Sequence, residues 1–157
     1  MEKDVIEWVK RISEKRDELG GFNICLYAKA ALEEKKVYWT YFGYEPEAYI
    51  LKYIEATPSD FEVIIFYDIK KTLTDDELIS IISRLQEKLP SVVFLKDHPD
   101  NPGYINGVCT SNGEYPTILA QPRSKLVEAR EKLRGTNYYK YWSDEYKKEI
   151  WSYGDES

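Results

Sequence analysis

Cys25, Cys109 and His98 are the only thiols and the only imidazole in this chain, and Asp97 and Asp100 flank the histidine. These are the side chains whose types could do covalent or proton-transfer chemistry. A cysteine reacts as its thiolate, so a nucleophilic or redox thiol needs a neighbour that lowers its pKa, such as an imidazole or a helix N-terminus. On an enzyme reading, Cys25 is the nucleophile or redox centre and His98 its base or proton donor. Asp97 or Asp100 then orients the imidazole, and Cys109 is a resolving thiol. The competing reading of Cys25 is a buried structural thiol between Ile24 and Leu26. No C-x-x-C or H-x-x-x-H spacing occurs, so no metal site is expected, although a Cys-Cys-His-carboxylate set exists by count. No cofactor can be named from these residues.

His98 and Cys109 share one long connection, residues 97–115, D-H-P-D-N-P-G-Y-I-N-G-V-C-T-S-N-G-E-Y. Connections beyond about 12–15 residues in compact domains are mostly functional or disordered. Pro99, Pro102, Gly103, Gly107 and Gly113 fix turns here, and Tyr104 and Ile105 supply apolar surface to bury, so the stretch reads as an ordered Ω-type loop over one end of a sheet. A binding reading follows that needs no catalytic residue. The loop encloses a small polar or anionic ligand, with Asn23, Tyr104, Cys109, Tyr115, Pro116 and Thr117 around it. Arg123, Lys125 and the N-terminus of the next helix then receive a carboxylate or phosphate. A purely structural loop is the alternative. The aromatic–proline pair Tyr115-Pro116, beside the site, is expected to be a cis peptide.

The elements that must position these residues follow from periodicity. Val5, Trp8, Val9, Ile12 and Leu19 fall on one helical face over 3–19, ended by Gly20-Gly21. Residues 23–34 read as a second helix with Asn23 as N-cap, which sets Cys25 in its first turn. Aromatic-rich 37–44 reads as a strand, and Pro46 opens a helix over 46–56. The apolar run 61–67 is a central strand covered on both faces. Thr74-Asp75-Asp76-Glu77 is a capping box that starts a helix ended by Pro90. Residues 91–95 and 115–120 are further strands, and Ser124 caps a helix over 125–134 closed by Gly135. Ser143 can cap a last helix in the aromatic tail, 136–157.

The order α-α-β-α-β-α-β-β-α-α implies an α/β fold, a single-domain mixed four-stranded sheet with packed helices, with thioredoxin-like and ferredoxin-like wiring both open. At 157 residues, without a repeat, low-complexity tract or linker, one domain is expected over 1–157. With 43% hydrophobic and 15% aromatic residues the chain can build a core. A net charge of -6 repels nucleic-acid backbones, so nucleic acid is not an expected partner. The basic run from Arg123 to Arg134 reads as a solvated helix face. With no span of roughly 18 apolar residues and no apolar leader in M-E-K-D-V-I-E-W-V-K, a cytoplasmic protein off the membrane is expected. The tail packs back on the core, or it presents the surface of a protein-interaction module without a pocket.

Three motifs occur in order: N-I-C-L-Y-A-K-A at 23–30, D-H-P-D at 97–100 and E-Y-P-T-I-L at 114–119. Together they resemble an uncharacterised bacterial family, a domain of unknown function with N-L-C-P-F-A, F-H-P-D and S-P-Y-P-T motifs. Trp8 corresponds to an early tryptophan, and the resemblance spans roughly residues 8–130. Asn23, Cys25, Ala28 and Lys29 match the first motif, His98, Pro99 and Asp100 the second, and Tyr115, Pro116 and Thr117 the third. The chain departs at Leu26, Asp97 and Gly113-Glu114, and the motif arginine has no counterpart. The resemblance implies where a site lies and implies no reaction.

Overall fold

The computed structural model describes residues 7–8, 10–11, 15–16, 22–23, 34–102, 104–105, 108–109 and 113–134. The chain is mixed α/β, built on a four-stranded mixed sheet as the element order implies. Its strands are β3 (Val37–Tyr41), β4 (Val63–Tyr67), β5 (Val92–Asp97) and β8 (Thr117–Pro122). Three short-range expectations hold closely. The first is helix α1 (Pro46–Ala56), with Pro46 in the first turn where its missing N–H costs nothing. The second is α2 (Asp75–Lys88), opened by the complete capping box of Thr74 and Glu77. The third is α3 (Arg123–Arg134), which follows β8 directly and starts two residues before the expected boundary, so Ser124 is its second residue and not its cap.

The wiring is neither of the two considered. β3 pairs with β4 in parallel, β4 with β8 antiparallel, and β8 with β5 antiparallel. The sheet order β3-β4-β8-β5 puts the first of these strands at an edge. In thioredoxin-like and ferredoxin-like sheets the first strand is internal. Here the last strand inserts between β4 and β5, so β3, β4 and β5 all run the same way and their C-terminal ends share one edge of the sheet.

β4 is apolar throughout because both its faces are covered. Ile64 and Phe66 point to the face carrying α1 and α2, where they pack with Ile50, Leu78, Leu85, Phe94 and Ile118. Ile65 and Tyr67 point to the other face, against Trp8, Val37 and Tyr115. A six-residue loop, 68–73, then connects β4 to the cap of α2.

Four local expectations are overturned. Residues 15–16 are not helical: Lys15–Arg16 (β1) pairs antiparallel with Phe22–Asn23 (β2), and among the described residues of 3–19 helical backbone occurs at 7–8 and 10–11. Hairpin pairing of these backbone groups competes with helix over the same residues, and Gly20-Gly21 falls between the strands instead of ending a helix. Asn23 accordingly pairs with Lys15 as a strand residue, and Glu34 lies in a turn; residues 24–33, including Cys25, lie outside the described residues. The 97–115 stretch is not one irregular loop, because Tyr104–Ile105 (β6) pairs with Val108–Cys109 (β7) on either side of Asn106-Gly107. Asn-Gly between apolar residues is a strong hairpin signal. The Tyr115–Pro116 peptide is trans, with every described peptide bond. The expected helix in 136–157 lies outside the described residues.

Candidate functional site

The shared edge is built around a buried carboxylate, Asp68, and a buried imidazole, His98, with the buried Thr117 at the start of β8. Asp68 follows β4 directly. Its backbone N–H donates to Pro116 O at 2.8 Å, which ties the end of β4 to the start of β8. Its carboxylate accepts backbone N–H bonds from Lys70 (3.2 Å), Thr72 (2.7 Å) and Leu73 (2.8 Å). One carboxylate therefore folds the 68–73 loop around itself, as aspartate does in turns where the backbone has no ladder partner.

His98 follows β5 directly and is 6% exposed. Leu73 O lies 2.8 Å from Nε2, and a carbonyl can only accept, so Nε2 carries the proton. The Asp100 N–H donates to Nδ1 at 3.0 Å, so that nitrogen is unprotonated. The neutral ring thus spans two loops, with both nitrogens committed. Asn101 N–H closes the turn onto His98 O at 3.0 Å, and the Asn101 side chain donates to Asp75 at 3.3 Å. Asp75, at the start of α2, also takes a 2.8 Å ion pair from Lys96. Burial pushes the Asp75 carboxyl up, but the Lys96 bond and charge and the Asn101 bond, joined by the His98 charge only when that ring is protonated, outweigh it and hold the group below the ordinary carboxylate range.

Around this frame stand aromatic and cationic side chains. Tyr41 and Tyr44 are 56% and 89% exposed. Lys70 Nζ lies 4.8 Å from the Tyr44 ring centroid, and Lys71 Nζ lies 5.0 Å from that of Tyr115. Lys71 also pairs with Glu114 at 3.1 Å. Tyr67 joins Tyr41 and Tyr115, with centroids 6.3 and 5.7 Å away. Nearby, an open groove of about 720 Å³ separates the N-terminal halves of α1 and α2. Glu45, Glu47, Asp76 and Glu77 line it against one arginine, Arg84, so its charge disfavours an anion.

The residues singled out from sequence separate into three groups. His98, Asp100, Tyr115, Pro116 and Thr117 meet at the shared edge. Asn23, Tyr104 and Cys109 are placed as strand residues whose side chains, like all of Cys25, lie outside those described. Arg123 stands at the opposite end of β8, about 20 Å from Thr117 at roughly 3.3 Å per residue. Its Nε donates to Pro90 O at 2.7 Å. Lys125 is likewise held there by Asp60 O at 2.8 Å and Glu62 at 3.1 Å. These two cations cannot reach a ligand held beside His98.

Asp68, Lys70, Lys71 and Tyr44 were not evident from the sequence. A signal existed, since an aspartate directly after a wholly apolar strand, in the sequence Asp-Ile-Lys-Lys-Thr, is a turn-forming residue placed where α/β sites form. Among the described residues no three His, Cys, Asp or Glu are grouped to hold a metal ion, and no helix is long and apolar enough to cross a membrane. No family model, curated protein or solved structure matches the chain. The motif resemblance therefore rests on the residues quoted for it.

Proposed function

We propose that the protein binds a small polar or anionic ligand at the edge where β3, β4 and β5 end. The observation that supports this most directly is Lys70. Its ammonium is exposed on a loop clamped by Asp68, and among the described residues it meets the Tyr44 ring and no carboxylate. A cation on a fixed loop over the Tyr44 ring, with Tyr41 also exposed on β3, suits a ligand with a negative group and a flat or apolar part. Loops at the C-terminal ends of parallel strands are where α/β folds generally bind ligands. The reading differs from the sequence expectation in its cation, with Lys70 and Lys71 in place of Arg123. It needs no catalysis by His98, whose two nitrogens are committed to Leu73 and Asp100.

The test is titration of the labelled full chain with inorganic phosphate, citrate and adenosine monophosphate, followed by amide resonances. Saturable shifts are expected in 42–45 and 68–72, weakened at least tenfold in the double variant Lys70→Ala/Lys71→Ala. Shifts centred on Arg123 and Lys125, or none that saturate, would overturn the assignment.

A further inference from the structure

We infer that the turn from His98 to Asn101 is a proton-operated latch at the root of the 97–115 stretch. The argument rests on which lone pair is in use. The Nε2–H of His98 donates to Leu73 O, and that bond survives protonation of the ring. Nδ1 accepts the Asp100 N–H at 3.0 Å, and that bond does not survive. When Nδ1 takes a proton from solvent it becomes a donor, and two donors then face each other in a site that is 6% exposed. The turn must rotate the Asp100 N–H away.

A replacement acceptor stands ready. The Asp100 carboxylate lies 3.9 Å from Nδ1, and its side chain is 88% exposed and free to swing inward. Other charged groups lie close by: Asp75 at the start of α2 acts on the ring electrostatically, Lys96 is two residues before it on β5, and Asp68 holds the Leu73 backbone that the ring bonds. Lys96 is engaged by Asp75 at 2.8 Å, which leaves the Asp100 carboxylate as the group that can answer an imidazolium at Nδ1. The two loops then respond differently. The 68–73 loop stays anchored by Asp68 and by the surviving Leu73 bond. The 98–101 turn opens, and Asn101, which donates to Asp75 at 3.3 Å, shifts with it. Any effect on a ligand at this edge rests on the binding proposal; the latch itself does not.

Nitrogen spectroscopy of the His98 ring and hydrogen exchange of individual amides, on the full chain without ligand from pH 8 to 4.5, test it. The ring is expected in the Nε2–H form at the upper limit. Protection of the Asp100 amide, corrected for intrinsic exchange, should fall at least tenfold with the midpoint of the ring titration, while the Thr72 and Leu73 amides keep theirs. His98→Gln retains one donor and one acceptor but no titration, and should give a flat profile. A ring that titrates while Asp100 stays protected, a ring that does not titrate, or loss of protection at Asp100, Thr72 and Leu73 together would each overturn the latch. None of these readouts involves phosphate or citrate, so failure of the binding proposal leaves the outcome distinct.

Discussion

Replacing Asp68 with alanine removes the single acceptor around which the 68–73 loop is folded. Three backbone N–H groups, those of Lys70, Thr72 and Leu73, lose a carboxylate partner together. Hydrogen bonds to charged groups contribute about 1.5–3 kcal/mol each. Lys70 and Thr72 are at the surface, so water can recover part of the loss, and a cost of about 3–5 kcal/mol is expected. At roughly 2–4 °C per kcal/mol for a domain of this size, Tm should fall by about 6–20 °C. Asp68→Asn separates charge from geometry. Its remaining oxygen can still serve Thr72 and Leu73, but its amide would oppose the Lys70 N–H, so about 1–2 kcal/mol is expected. Urea unfolding of both variants measures the difference. An alanine variant that loses under about 1 kcal/mol, or no more than the asparagine variant, would refute the clamp.

Three further outcomes follow from named contacts. Asp75 has a folded pKa below its unfolded value, so its contribution is present above the unfolded carboxylate range near about 3.9 and is lost as pH falls through the folded value. Lys96→Met should therefore lower stability at neutral pH and flatten the acid limb of the stability profile, read by denaturant titration at stepped pH. Thr74→Ala removes the hydroxyl that accepts the Glu77 N–H at 3.1 Å and should cost about 1 kcal/mol in urea unfolding. Gln86 covers the outer edge of β5, donating to Val92 O at 2.7 Å and accepting from Phe94 N–H at 3.3 Å. Gln86→Leu should cost about 1–3 kcal/mol by leaving both groups unmet, and should introduce concentration-dependent association through the bared edge, seen by sedimentation.

The legible parts of this fold share one property: their causes lie within a few residues of each other. The capping box at Thr74 and Glu77, proline in the first turn of α1 and the unbroken apolar run of β4 are local signals, and each element stands where they put it. Asn106-Gly107 was equally local and marks the β6–β7 hairpin that a reading by loop length passed over. The site was half legible. His98, Asp100 and Tyr115 do gather at one edge, but Arg123 does not, because a strand length separates it from them.

By itself the sequence determined the α/β class, the limits of α1 and α2 to within a residue, and the edge at which His98 stands. Only the tertiary structure decided that β8 inserts between β4 and β5, that Asp68 organises the loop beside the histidine, and that both imidazole nitrogens are committed. The physical reason is that strand pairing and loop clamping use backbone N–H and C=O groups, which are the same in every residue. The runs 92–95, Val-Val-Phe-Leu, and 118–120, Ile-Leu-Ala, are both apolar, and nothing in either says which becomes the edge. The bond from His98 to Leu73 spans 25 positions, a separation at which the sequence carries no periodicity to read.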